Sequence, residues 1–336
     1  MPKPGQHDNG RKVEIVFQNL ISPIVLCFAL GIIAVWIRSD LEVPPAIYQG
    51  LSLYLLLAIG LKGGVAVSQT PVSELAGPAL VTLVLGFLTP LSAFLLMRHF
   101  GRLSRIDAGA VAAHYGSVSA VTFLAAIEAA RAGGLIAEGY LSALVAILEV
   151  PGIFVGLVLA RHGASAGKSK GGSFGEAVHE VLTGRSILLL IGGLVIGTLC
   201  GAKKVEEVAP FFITPFKGVL CLFLLELGMV AARRMRDLKN AGWRLLVLGT
   251  FLPLFHGILG VVGGLIAGME PGGAAVLGAM SGSASYIAAP AAVRIALPEA
   301  SPGIYLTLSL GVTFPFNLTV GIPMFMAVSR WLAPYF

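Results

Sequence analysis

Ten apolar stretches fill almost the whole sequence, and they leave it few ways to fold. They lie near residues 21–38, 46–68, 77–98, 108–130, 139–160, 185–200, 213–231, 244–267, 272–295 and 303–330. A helix needs about 20 apolar residues to cross the hydrocarbon core of a bilayer, where every backbone polar group must be satisfied inside the protein. The expectation is an all-α membrane protein of ten transmembrane helices. The 185–200 stretch is the shortest and counts as a span because its counterpart in the first half is clear.

Charged residues are 12% of the 336, about half the share of a soluble domain, and lipid must replace the missing solvated surface. The 43 glycines and 19 prolines are spread through apolar runs, where membrane helices tolerate them. A net charge of +6 raises the question of nucleic acid. The basic residues sit in short loops between spans, however, so topology accounts for the charge and no nucleic-acid partner is expected. Cys27, Cys200 and Cys221 are odd in number and lack CxxC spacing, which suggests neither a disulfide framework nor a transition-metal site. Residues 1–20 are polar and precede a span too long for a signal-peptide core, so no cleaved signal is expected.

The chain repeats itself. HYGSVSAVTFLAA begins at His114 and MSGSASYIAAPAA at Met280, so that Gly116, Ser117, Ser119, Ala125 and Ala126 match Gly282, Ser283, Ser285, Ala291 and Ala292. ILEVPG around Pro151 likewise corresponds to GVTFPF around Pro315. The hydrophilic stretch 161–184, with GASAGKSKGGS, divides a first five-helix unit (21–160) from a second (185–336) and reads as a cytoplasmic linker. Five is odd, so the second copy is upside down, and a 5+5 inverted repeat is characteristic of secondary transporters. Arg98, Arg102, Arg105, Arg161, Lys168, Lys170, Arg233, Arg234, Arg236 and Lys239 follow spans 3, 5 and 7. Their side is expected to be cytoplasmic, with both termini outside, although Lys3, Arg11 and Lys12 oppose that orientation.

The matched segments are poor membrane helix. Glycine and serine cluster at mid-span in both, and Pro290 follows the second, so helices 4 and 9 are expected to be broken. A break at membrane depth is tolerated where it lines a cavity or is buried in protein. Each break exposes a half-helix N-terminus worth about half a positive charge, and inversion brings the two together, a match for a small monovalent anion. The alternative is that these small residues serve helix packing alone. On span 10, Ser309, Thr313 and Asn317 recur every four residues, which predicts one shared helix face; Glu149 stands near the repeat-equivalent depth of Thr313 on span 5. Such oxygens suit Na⁺. Lys62 and Glu226 differ too much in depth to pair, so Lys62 is expected to snorkel outward and Glu226 to lie near the cytoplasmic basic cluster. His256 reads equally as a packed core histidine or a proton carrier, and His114 enters the first break.

IGLKGG at 59–64, LEVPG at 148–152, SASY at 283–286, PAAVR at 290–294, LPEASPGIYLTLSLGVTFPFN at 297–317 and GIP at 321–323 resemble the sodium-dependent bicarbonate transporter family, first associated with the cyanobacterial carbon-concentrating mechanism. The resemblance implies gate (spans 1, 2, 6, 7) and core (spans 3–5, 8–10) domains, a homotrimer in the bacterial inner membrane, and Na⁺-coupled uptake of bicarbonate. It maps the anion site onto Gly116, Ser117, Val118, Ser119, Ser283, Ala284 and Ser285, beside Tyr286. The expected sodium oxygens are those of Ser119, Thr122, Glu149, Ser281, Thr313 and Asn317. Na⁺ is the coupling ion, and no other cofactor is implied. Tyr286, acidic in the cyanobacterial members, and Asn317, absent from them, depart from the pattern. Members can also bind a small PII-like regulator at their cytoplasmic face; the 161–184 linker is short here, and the resemblance alone does not carry that partner over.

Two other classes stay open at this level. An organic-anion symporter of the bile-acid type would need a wide apolar cavity beside the breaks, and an anion channel would conduct without gradient-coupled uptake. An intramembrane serine enzyme lacks any GxS–His or paired-Asp motif.

Overall fold

A computed structural model describes residues 22–161, 174–235 and 242–336 of the chain, and no strand occurs among the described residues. The helices, in chain order, are α1 (Pro23–Trp36), α2 (Pro45–Gln69), α3 (Val72–His99), α4 (Arg105–Gly116), α5 (Ala120–Ala132), α6 (Leu141–Arg161) and α7 (Phe174–Thr183). There follow α8 (Arg185–Glu207), α9 (Ala209–Phe212), α10 (Phe216–Met235), α11 (Trp243–Ile266), α12 (Pro271–Ser281) and α13 (Ala289–Ala296). The last helix, α14 (Pro302–Tyr335), is continuous, with π-helical stretches at Thr307–Thr313 and Asn317–Gly321.

Eight helical segments among the described residues are long and apolar enough to cross a membrane, counting α4–α5 as one segment and α9–α10 as another. Two of the ten expected spans fall short as continuous helix. α1 has 14 residues, and the ninth span is interrupted between Ser281 and Ala289. The sixth keeps helical geometry up to Gly201, where a φ of 68° kinks the chain before helix resumes to Glu207. The second half of the expected linker forms α7, whereas residues 162–173, which carry the whole of GASAGKSKGGS, and residues 1–21 lie outside the described residues.

Local sequence explains the helix starts. Proline, which has no N–H to lose at a first turn, opens α1, α2, α12 and α14. Ser22, Ser104 and Ser119 cap α1, α4 and α5 by accepting from the amides of Val25, Asp107 and Thr122. Large apolar side chains point outward along the long helices, among them Leu80, Val84, Phe87, Leu91 and Leu95 on α3 and Leu188, Ile191, Val195 and Leu199 on α8. A soluble protein does not expose such stripes; lipid is the solvent that accepts them.

The most extensive helix contacts pair α2 with α8, α1 with α10, α4 with α6 and α11 with α12. α2 and α8 meet backbone to backbone. A Cβ on Gly60 would lie 2.6 Å from the Leu190 carbonyl oxygen and 2.8 Å from the Gly193 Cα, so only glycine permits that approach. At one end of the bundle Arg105 donates to the Leu159 carbonyl and Arg161 to the Ala296 carbonyl. At the other, Ser329 donates to the Pro271 carbonyl and Arg330 to that of Gly133.

Candidate functional site

The chain leaves α-helical geometry between α4 and α5 at Ser117–Ser119, and between α12 and α13 at Gly282–Ala288. Protein encloses the first break: 89% of the apolar window across α4–α5 is buried, against 28–56% for the other candidate spans. Enclosure by protein is what allows non-helical backbone at membrane depth. The packing that achieves it is tight. A Cβ on Gly152 of α6 would fall 1.8 Å from the Gly116 carbonyl oxygen and 2.7 Å from the Ser117 nitrogen.

The breaks bind each other. The Ser119 amide donates to the Ser283 hydroxyl at 2.8 Å, and that hydroxyl donates to the Met280 carbonyl at 2.7 Å. The Ser285 amide donates to the His114 carbonyl at 2.7 Å, and the Asn317 side-chain amide donates to the Gly282 carbonyl at 2.8 Å. Opened backbone is thus re-satisfied from the partner break and from α14. First-turn amides at Ala120 and Val121 of α5 have no intrahelical partner by construction. At α13 the Ser285 hydroxyl takes the Ala289 amide at 3.3 Å.

Between the breaks lies a cavity of about 10 Å³, lined by Val118, Ser119 and Ala120, by Ser285, Tyr286 and Ile287, and by Leu56, Glu149 and Ser186. It is room for about one water centre. Four of the eight expected anion residues, Val118, Ser119, Ser285 and Tyr286, therefore share one cavity, with Glu149 of the expected sodium set in its wall. The other four stand behind it. Gly116 packs on Gly152, Ser283 supports Ser119, Ala284 is buried in the core around α4, and Ser117 is buried in the break. A second cavity of about 140 Å³ shares Ser186 and Ile287 with the first and continues past Gly184, Arg185 and Ala291, toward the end of the bundle that holds Arg161.

Several buried polar atoms in this region have no hydrogen-bond partner among the described residues: the hydroxyls of Ser117, Thr122, Ser281 and Tyr286 and the side-chain oxygen of Asn317. Such atoms are rare in folded proteins and mark where a ligand, an ion or water belongs. Three of them, on Thr122, Ser281 and Asn317, are in the expected sodium set. Thr313 differs, because its hydroxyl donates to the Gly249 carbonyl at 2.9 Å and meets the Tyr115 hydroxyl at 2.6 Å.

Ser309, Thr313 and Asn317 are all buried on α14 and lie in its π-helical stretches. Ser309 donates to the carbonyl of Tyr305 on its own helix at 2.7 Å, while Thr313 and Asn317 turn to α11 and to the second break. His114 is a packed residue at the mouth of the first break: its ring stacks on Tyr305 at 4.4 Å and Nδ1 bonds the Ala110 carbonyl at 2.7 Å. His256 Nε2 meets the Ser92 hydroxyl at 2.7 Å. Leu56, Ser186 and Ile287 escaped sequence reasoning, and nothing in their neighbourhoods marks them. The Lys62 ammonium lies 4.5 Å from the Phe216 ring centroid, near the start of α10, while Glu226 is buried a few turns along the same helix.

An all-helical body with a lipid-facing apolar exterior and an enclosed polar break defines a multi-pass membrane protein built around a small internal site. The chain belongs to the Na⁺-dependent bicarbonate transporter superfamily, whose family model matches residues 23–330. Comparison with curated proteins gives no match.

Proposed function

We propose that this protein is a Na⁺-coupled symporter that brings bicarbonate across the bacterial inner membrane. The observation that carries the choice of anion is the cavity between the breaks. It is tight and hydroxyl-lined, it reaches from Ala120 at the N-terminus of α5 to Ile287 just before that of α13, and Tyr286 stands in its wall. Two such termini offer roughly one unit of positive charge, with amide donors, to a small monovalent oxyanion. A bile-acid-sized organic anion needs a wide apolar chamber at the same place, whereas this lining carries the polar side chains of Ser119, Glu149, Ser186, Ser285 and Tyr286.

Na⁺ binds first in this reading, on oxygens drawn from Thr122, Ser281, Asn317 and Glu149, and its charge adds to the positive potential that holds the anion. The cavity is smaller than bicarbonate, so loading requires the breaks to separate from the wall formed by Leu56 and Ser186. That wall belongs to α2 and α8, which supports a gate of α1, α2, α8 and α10 against which the remaining helices slide as a core. The 5+5 repeat is supported by packing as well as by sequence. α2 meets α8 at Gly60 and Gly193, and α1 meets α10 at Gly31 and Gly228; exchange of the halves turns one contact into the other. The cavity that runs past Arg185 is then the cytoplasmic exit.

Uptake of radiolabelled bicarbonate into proteoliposomes, with and without an inward Na⁺ gradient, tests the proposal. Saturable uptake that rises with the gradient is expected. Uptake indifferent to Na⁺, or conductance without saturation, overturns it.

A further inference from the structure

At the end of the bundle opposite Arg161, a cavity of about 450 Å³ opens between α1, α5, α10 and α14. Its walls are mostly small or apolar, among them Pro23, Ala125, Ala129, Gly218 and Leu318, and two of its lining residues are charged, Glu128 and Lys217. The Glu128 carboxylate, 7% exposed, is held at both oxygens. Lys217 Nζ lies 2.6 Å from Oε2 and Arg131 Nη1 lies 2.9 Å from Oε1. The two cations are 66% and 57% exposed, so their remaining donors face the cavity mouth and solvent. Lys62, on the Phe216 ring, lies within electrostatic reach of all three. Three cations thus surround one carboxylate, an excess of two positive charges.

A side-chain carboxylate and bicarbonate present the same chemistry, a planar pair of oxygens that share one negative charge, to an ammonium and a guanidinium. We infer that Lys217 and Arg131, with Lys62 behind them, form an outer capture site for a small carboxylate-like anion, and that Glu128 competes with it from within for their charge. The inference rests on the bicarbonate reading above and gives it an entrance. Glu128 is buried and stays in place, while both cations are more than half exposed, so the anion meets their outward donors. The excess charge raises the local anion concentration. The floor of the cavity is close to the candidate site: Ala125 is one helical turn beyond Thr122, and Leu318 follows Asn317.

The experiment compares bicarbonate uptake at saturating Na⁺ by the full-length protein and three variants, Lys217→Gln, Lys217→Arg and Glu128→Gln. Lys217→Gln is expected to raise KM about three- to tenfold with kcat unchanged and to weaken the rise of KM with ionic strength. Lys217→Arg restores the wild-type KM. Glu128→Gln, which removes the internal competitor, lowers KM. A merely structural ion pair predicts that Lys217→Gln and Glu128→Gln shift uptake in the same direction, because each breaks the same contact; that result, or an unchanged KM in both, overturns the inference. Failure of the underlying reading looks different, since wild type would then show no Na⁺-dependent bicarbonate uptake. Surface expression and melting temperature, measured for each variant, separate a KM effect from loss of folded protein.

Discussion

The Ser119 amide and the Ser283 hydroxyl, 2.8 Å apart and 164 residues apart in sequence, join the two broken helices into one unit. Ser283 passes the contact on to the Met280 carbonyl, so a single hydroxyl satisfies a donor from the first break and an acceptor from the second. Ser283→Ala leaves the Ser119 amide buried without an acceptor, a cost of about 1–3 kcal/mol. Na⁺-driven uptake is expected to fall at least tenfold, with protein still present in the membrane. Uptake per molecule in proteoliposomes checks it.

Gly152 tests the packing that encloses the first break. Gly152→Ala would set a methyl group 1.8 Å from the Gly116 carbonyl oxygen, and overpacking of this kind costs roughly 1–3 kcal/mol. The melting temperature in detergent should drop. Gly192→Ala, on a helix face with nothing within 4 Å of the added Cβ, should leave it unchanged, and equal effects at both positions would refute this account of Gly152.

Asn317 separates cation from anion. Asn317→Ala removes both the unpartnered side-chain oxygen and the donor to the Gly282 carbonyl. The Na⁺ concentration for half-maximal uptake should rise about tenfold, while the bicarbonate KM at saturating Na⁺ stays within about twofold of wild type. A Na⁺-dependence curve at fixed bicarbonate decides it.

Glu138, in the loop between α5 and α6, gives the fold a pH dependence. One of its oxygens accepts from the Glu270 amide at 2.7 Å, at the start of α12. Burial raises its pKa above the ordinary 4.5. The folded state therefore holds the proton more tightly than the unfolded state. The stabilisation from this group is complete below pH 4.5 and is lost as pH rises through the folded value. Glu138→Gln, which keeps an acceptor for Glu270, should flatten that part of the curve of melting temperature against pH. An unchanged slope would show that other groups set it.

The breaks were legible because they are written twice. Gly116-Ser117-Val118-Ser119 and Ser281-Gly282-Ser283-Ala284-Ser285 carry their weak helix propensity in the residues themselves, and the structure leaves the α-helix at Ser117–Ser119 and Gly282–Ala288. The partners of the polar residues on α14 were not legible in the same way: spacing along the helix does not say that Thr313 meets Gly249 and Asn317 meets Gly282.

By itself the sequence determined that this chain is helical, that lipid surrounds it, and that two of its apolar segments cannot remain continuous helix. Those properties follow from local hydropathy and backbone preference, which each segment carries wherever it sits. Tertiary structure alone decided which polar atoms meet. Leu56 and Ser186 reach the cavity because α2 and α8 close on the breaks, and Glu128 finds Lys217 because α5 and α10 share a wall. Contacts between distant segments depend on helix approach to within a methyl group, and spacing along the chain does not encode that distance.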